Sequence, residues 1–163
     1  MKRLGINIDH VATLRNARGE GHPDVVDIAN IVKKAGANSI TVHLREDRRH
    51  INDHDLKLLC QKNFLINMEM AANFEMMKIA IRNNPKFVCL VPEKRNEITT
   101  EGGLNLKKNY RLIKKIVSTL NKKKIRTSLF IDPTISNLIL TKKIGAKCVE
   151  LHTGKLSRFI KNK

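Results

Sequence analysis

Six short apolar segments, each followed by a polar or helix-forming stretch, constrain the fold of this 163-residue chain more than any other feature. The predicted strands are residues 4–9, 39–43, 64–69, 87–91, 126–131 and 148–152. Predicted helices cover residues 24–35, 52–60, 73–82, 106–120 and 135–144, and residues 13–22 are predicted to be a polar loop. The alternation of strands with helices predicts βαβ units, and therefore a parallel sheet with right-handed crossovers.

Polar side chains stand at the carboxyl ends of four predicted strands. They are Asn7, Asp9, His10, His43, Arg45, Glu69, Glu150 and His152. Polar groups that converge from successive strand ends are typical of a (β/α)₈ barrel active site. The alternative is an open doubly wound sheet, which would place its ligand at one switch point. The chain has neither of the common glycine-rich nucleotide-binding motifs, GxGxxG after a strand or GxxxxGK[ST].

A complete barrel of this class needs eight strands and about 250 residues. We therefore expect α/β architecture of the TIM-barrel family with about six βα units, as one incomplete domain over residues 1–163 that is truncated at its C-terminal end. We expect a cytoplasmic protein, because the N-terminus lacks a signal-peptide pattern and no apolar run approaches membrane-spanning length. Three scattered cysteines, Cys60, Cys89 and Cys148, fit reduced thiols in that compartment.

The formal charge of +17 could indicate nucleic acid, an anionic small substrate or simply a lysine-rich surface. Only 4% of the residues are aromatic, so the stacking platforms of a single-strand binder are missing. We interpret most of this charge as solvated surface and expect no nucleic-acid or membrane partner.

Histidine and glutamate at strand ends carry the predicted chemistry. A histidine side chain can take and return protons near neutral pH, which suits His43 to catalysis, and burial of Glu69 would raise its pKa into the range of a general acid or base. Glu150 shares a strand face with Cys148 and His152. The structural alternatives are a histidine hydrogen-bonded to its loop and carboxylates held in ion pairs.

Basic loops supply candidate anion-binding groups. The guanidinium groups of Arg18, Arg45, Arg48 and Arg49 suit phosphate or carboxylate, although a solvated charge is the alternative for each. Residues 99–103, TTEGG, could offer hydroxyls and free amides to a phosphate, with a simple glycine turn as the alternative. We expect no metal site, because the histidine and cysteine spacings match no zinc pattern.

Several of these segments form longer motifs. They are residues 7–18 (NIDHVATLRNAR), 41–51 (TVHLREDRRHI), 67–70 (NMEM), 90–95 (LVPEKR), 99–104 (TTEGGL) and 150–154 (ELHTG). In this order the motifs resemble those of the pyridoxine 5′-phosphate synthase family over nearly the whole chain.

The resemblance implies a TIM barrel that condenses 1-deoxy-D-xylulose 5-phosphate with 3-amino-2-oxopropyl phosphate into pyridoxine 5′-phosphate, inorganic phosphate and water, without a cofactor. It assigns proton transfer to His43 and Glu69, and transition-state stabilisation to Glu150. The residues it assigns to the amino-ketone phosphate are Asn7 and Arg18, and those for the deoxyxylulose phosphate are Asp9, His10, Arg45, His50 and Thr99. It also implies a homo-oligomer.

The sequence departs from the family pattern in one respect. A third catalytic histidine and glycine-rich phosphate loops lie on the last two strands of the family, and no motif of this chain matches them. The alternative hypothesis is therefore a catalytically inactive remnant that binds phosphorylated ligands.

Overall fold

A six-stranded parallel sheet with the order β1-β2-β3-β4-β5-β6 forms the centre of the computed structural model. The structure describes residues 2–62, 64–93 and 102–161. The strands are β1 (Gly5–Asn7), β2 (Ser39–His43), β3 (Ile66–Ala71), β4 (Phe87–Val91), β5 (Arg126–Ile131) and β6 (Cys148–Leu151). All six predicted strands are present, and the sheet curls into a half-barrel, which confirms the predicted fold class.

Helices connect the strands as the periodicity predicts. They are α1 (Asp9–Arg18), α2 (Val25–Lys34), α3 (Asp53–Gln61), α4 (Phe74–Asn83), α5 (Tyr110–Lys122), α6 (Ile135–Ile144) and α7 (Gly154–Lys161). The predicted strand at residues 64–69 is displaced by two positions, and the helix predicted from residue 106 begins at Tyr110. Helix α7 was not predicted.

The polar loop predicted over residues 13–22 is wrong for residues 13–18, because residues 9–18 form helix α1, whereas residues 19–22 are non-helical as predicted. This helix buries little apolar surface of its own and is held by polar contacts with distant residues. Arg15 donates from Nη1 and Nη2 to the two carboxylate oxygens of Asp55 at 2.7 and 2.8 Å. The amide of Asn16 donates to the backbone carbonyl of His50 at 2.9 Å. Tertiary contacts therefore override the weak local pattern.

Side-chain caps fix the starts of four helices. Asp24 accepts from the backbone N–H groups of Val26 and Asp27 at the start of α2. Asn52 forms a capping box with Asp55, in which each side chain accepts from the other residue's backbone N–H. At the starts of α4 and α6, the side chains of Asn73 and Thr134 accept from the backbone N–H groups of Met76 and Asn137. Such caps satisfy amide donors that a helix leaves free at its first turn.

The core lies between the convex side of the sheet and the helices. Alternate strand residues on that side are apolar and fully buried, among them Val42, Met68, Leu90 and Leu129. The intervening residues face the concave side and are mostly polar and only partly buried. Because successive side chains of a strand point to opposite faces, the alternation leaves one face for packing and one for chemistry.

Candidate active site

The register of the sheet brings the two predicted proton-transfer residues together. His43 of β2 pairs with Glu69 of β3, and Glu69 pairs with Cys89 of β4. All three side chains lie on the concave face, at the carboxyl end of the sheet. The ring nitrogen Nδ1 of His43 is 3.9 Å from Oε2 of Glu69. This distance is too long for a hydrogen bond between the two side chains.

A second carboxylate holds the other side of the imidazole. Nε2 of His43 is 2.8 Å from Oε1 of Glu93, just after β4. The second oxygen of Glu93 accepts from the backbone N–H of Glu46 at 3.0 Å. Burial acts to raise the pKa of Glu93, but the hydrogen bonds from His43 and Glu46 outweigh it and the pKa lies below its usual value. Sequence reasoning gave Glu93 no role, although it lies in the quoted motif at residues 90–95.

Asp9 ties the end of β1 to the end of β2. Its Oδ1 accepts from the backbone N–H of His43 at 2.7 Å, and its Oδ2 accepts from the side-chain amide of Asn7 at 2.8 Å. The backbone N–H of Asp9 in turn donates to Oδ1 of Asn7. The carboxylate is 7% exposed and each oxygen has a partner. Asp9 and Asn7 thus orient the strand end that carries His43.

The pKa of Glu69 is raised to about 7, which is the property expected of a general acid or base. Burial is the main cause, and the negative charge of Glu150 on β6 adds to it. Glu150 stands opposite Phe130 of β5 on the same concave face. The structure therefore places all three predicted catalytic residues on one surface, with Glu150 acting electrostatically on Glu69.

Arg45 and His50 lie in the loop between β2 and α3. Arg45 is 5% exposed, and its Nε donates to Asp47 at 3.3 Å. Nδ1 of His50 is 2.6 Å from the hydroxyl of Thr13 on α1. Burial is the main cause that lowers the pKa of His50, and the positive charge of Arg45 contributes. A neutral imidazole beside a fixed guanidinium can donate hydrogen bonds to a phosphate ester.

The remaining predicted ligand-binding residues are less closely grouped. His10 is exposed in the first turn of α1, with its ring centroid 6.1 Å from that of His50. Arg18 lies nine residues after Asp9 on α1, about 13 Å along the helix axis, and pairs with Glu20 on the surface. Thr99 lies outside the described residues.

The glycine segment after β4 packs tightly against the end of β5. Gly102 has φ of +82°, and a Cβ on Gly103 would lie 2.2 Å from the backbone nitrogen of Asp132. Leu104 donates its backbone N–H to the carbonyl of Phe130 at 2.9 Å. These contacts support the glycine-turn interpretation for this part of the segment.

A cavity of about 600 Å³ occupies the opposite, amino end of the concave face. Its lining includes the neutral side chains of Ser39, Thr41, Asn67 and Ser128, together with Arg3 and Arg126, and contains no carboxylate. The predicted strand-end carboxylates and histidines therefore lie outside this cavity, toward the carboxyl end.

The described residues, 2–62, 64–93 and 102–161, contain neither a metal-binding cluster nor a membrane-spanning helix. No group of three or more histidine, cysteine, aspartate or glutamate side chains in these segments is placed to hold a metal ion. Within the same residues, no helix has the length and apolar character needed to cross a bilayer.

Solved structures place this sheet in the class of parallel βα half-barrels related to TIM barrels. A 4-hydroxy-2-oxoglutarate aldolase/2-deydro-3-deoxyphosphogluconate aldolase from TTHB1 superposes with a TM-score of 0.60 and 10% identity, covering 97% of this chain and 62% of that one. An L-ribulose 3-epimerase superposes with a TM-score of 0.53 and 11% identity, covering 93% of this chain and 60% of that one. At these identities the likeness concerns the fold alone.

Sequence comparison identifies the family. The model described as pyridoxal phosphate biosynthesis protein PdxJ matches residues 4–163, and the chain belongs to this family. Pyridoxine 5′-phosphate synthase from Pelagibacter ubique (strain HTCC1062) is 59% identical over 162 residues, which are 99% of this chain and 68% of that protein. The synthase from Ehrlichia chaffeensis is 53% identical over 93% of this chain and 64% of its own length. The chain thus spans about two thirds of the length of these relatives.

Proposed function

We propose that this chain carries out the pyridoxine 5′-phosphate synthase reaction, the condensation of 1-deoxy-D-xylulose 5-phosphate with 3-amino-2-oxopropyl phosphate. The observation that carries the proposal is the pairing of His43 with Glu69, whose Nδ1 and Oε2 atoms stand 3.9 Å apart without bonding to each other. The products are pyridoxine 5′-phosphate, inorganic phosphate and water. Membership of the family supports the choice of reaction.

Proton transfer is the chemistry that these residues can supply. Joining an amine to a ketone and eliminating water requires protons to be removed from carbon or nitrogen and delivered to leaving oxygens. With a pKa of about 7, Glu69 can act in either direction near neutral pH. His43 is the second proton-transfer residue in the proposal, and Glu150 stabilises positive charge that develops in the transition state.

Two phosphorylated substrates require convergent cationic and hydrogen-bonding groups. We assign Asp9, His10, Arg45, His50 and Thr99 to the deoxyxylulose phosphate. Asn7 and Arg18 are assigned to the amino-ketone phosphate. The burial of Arg45 and the 2.6 Å contact between His50 and Thr13 support a preformed pocket for the deoxyxylulose phosphate. The proposal includes a homo-oligomeric, cytoplasmic protein that needs no cofactor.

A second candidate function is binding of phosphorylated ligands without turnover. The observation that favours it is that the described strands β1 and β6 do not pair with each other, so the described sheet is open. In this case the anion-binding residues would act, whereas His43 and Glu69 would complete no reaction.

The deciding experiment supplies both substrates to the purified 163-residue chain and measures pyridoxine 5′-phosphate formation. We expect turnover in the wild type and a loss of roughly 10²–10⁴-fold in Glu69→Gln, because the amide cannot exchange the proton. The exposed Glu75→Gln on α4 is the matched control and should retain wild-type turnover. Calorimetric binding of the phosphate esters without product would favour the second candidate, and wild-type turnover in Glu69→Gln would exclude Glu69 from the mechanism.

A further inference from the structure

We propose that Glu93 is a positioning residue that selects Nδ1 of His43 as the nitrogen that exchanges protons with substrate. The inference rests on the proposed function of His43. It assigns a role to a residue that neither the strand-end pattern nor the family resemblance singled out. The geometry that carries it involves both oxygens of one buried carboxylate.

Each oxygen of Glu93 accepts one hydrogen bond from a different part of the chain. Oε1 is 2.8 Å from Nε2 of His43, and Oε2 is 3.0 Å from the backbone nitrogen of Glu46. The side chain is only 4% exposed. An ionised carboxylate has no hydrogen to donate, so the hydrogen in the contact with His43 must be on Nε2.

Protonation of Nε2 leaves the lone pair of the neutral imidazole on Nδ1. Nδ1 is the nitrogen that faces Glu69 across the 3.9 Å gap. A proton taken from substrate therefore forms a new N–H bond at Nδ1, while the existing Nε2–H bond stays intact. The resulting imidazolium lies against the Glu93 carboxylate, which stabilises its positive charge until Nδ1 returns the proton to a leaving oxygen or to ionised Glu69.

The backbone contact to Glu46 allows the choice of His43 nitrogen to be tested by replacing one oxygen of Glu93 with an NH₂ group. In Glu93→Gln the side chain has one oxygen and one NH₂ group. The backbone N–H of Glu46 can only donate, so the amide oxygen must face it. The NH₂ group is then directed at Nε2 of His43, and the ring can keep a hydrogen bond only by moving its own proton to Nδ1.

The test is long-range ¹H–¹⁵N NMR of the ¹⁵N-histidine-labelled full chain, at a pH where His43 is neutral. The His43 signals are assigned by their loss in His43→Gln. We expect the Nε2–H tautomer in the wild type and the Nδ1–H tautomer in Glu93→Gln. Glu75→Gln is the matched control and should give the wild-type spectrum.

An Nδ1–H tautomer in the wild-type chain would overturn the inference, and this measurement does not depend on the folding of any variant. An unchanged tautomer in folded Glu93→Gln would overturn it as well. With both substrates present, we expect kcat of Glu93→Gln to fall roughly 10²–10⁴-fold with KM nearly unchanged. A flipped tautomer with unchanged kcat would also contradict the proposal. Absence of wild-type turnover would count against the proposed function, whereas the spectra still decide the role of Glu93.

Discussion

The carboxyl ends of the first four strands and of the last two are built very differently. Around β2, one connected hydrogen-bond network joins Asn7, Asp9, His43, Glu93 and Glu46. Around β6, Asp132 and His152 form a smaller polar pair at 3.2 Å.

Helix packing differs between the same two regions. The core residues of β2, β3 and β4 are fully buried under their helices, whereas no residue of β6 is fully buried. On α6 and α7, Ile135 is 77% exposed and Phe159 and Ile160 are 61% and 64% exposed. A buried polar network is tolerated only where the surrounding packing satisfies and holds every member. The difference therefore indicates that the first four βα units hold the hydrogen-bonded part of the site, to which β6 adds the charge of Glu150.

We expect the largest difference in the free energy of unfolding from truncating one leucine in each region. Leu59 of α3 is fully buried and Leu156 of α7 is 57% exposed. Leu59→Ala should lower the free energy of unfolding by about 2–5 kcal/mol, because it leaves a cavity in the core. Leu156→Ala should change it by less than about 0.5 kcal/mol. Urea denaturation of both variants measures this, and equal losses would show that α7 packs as firmly as α3.

The pH dependence of stability should reveal the burial of Glu69. Its folded pKa of about 7 exceeds its ordinary value of 4.5, so the folded state binds the proton more tightly than the unfolded state. The wild type should therefore lose about 3 kcal/mol of stability as the pH rises from 4.5 through 7, and Glu69→Gln should lose none of it.

Denaturation curves at pH 4, 6 and 8 measure this effect. The two proteins should be nearly equal in stability at pH 4, and Glu69→Gln should be the more stable at pH 8. Glu150→Gln should make the wild-type slope shallower, because the charge of Glu150 is the second cause of the raised pKa of Glu69. Parallel curves for wild type and Glu69→Gln at all three pH values would contradict the burial of this carboxyl group.

Two aspartates give the smallest contrast. Asp9→Asn keeps an oxygen for the backbone N–H of His43 but turns an NH₂ group toward the amide of Asn7, which also donates. Replacing this part-buried hydrogen bond to a carboxylate with two facing donors should cost about 1–3 kcal/mol. Asp132→Asn affects a partly exposed pair with His152 and should cost less than about 1 kcal/mol. Thermal melts of both variants test this, and a larger loss for Asp132→Asn would reverse the comparison.

The elements that could be predicted from the sequence are those whose own residues carry the signal. The predicted strand at residues 39–43 has the same bounds as β2, because a short apolar run between Gly36 and a charged loop is typical of a buried strand. The helix predicted over residues 52–60 agrees with α3 to within one residue at each end, because a polar cluster before an apolar repeat marks a helix start. His43, Glu69 and Glu150 could be predicted as candidate site residues, because ionisable residues are unusual in otherwise apolar strands.

The elements that were missed depend on contacts between distant residues. The stabilising partners of α1 lie 33 to 40 residues away, as in the pairing of Arg15 with Asp55. The role of Glu93 depends on His43, which is 50 positions earlier in the chain. A local pattern records how a residue packs against its own helix or strand, and it contains no information on which distant group completes its hydrogen bonds.

The strictly sequential order of the strands also has a consequence for synthesis on the ribosome. Each strand pairs with the strand made immediately before it, so every βα unit can dock on a surface that already exists when it emerges. Domains acquire structure from the N-terminus during translation, and contacts close in sequence form fastest. Asp9, His43, Glu69 and Glu93 all lie within the first 93 residues. The nascent chain can therefore bring His43, Glu69 and Glu93 together before β5 and β6 have emerged.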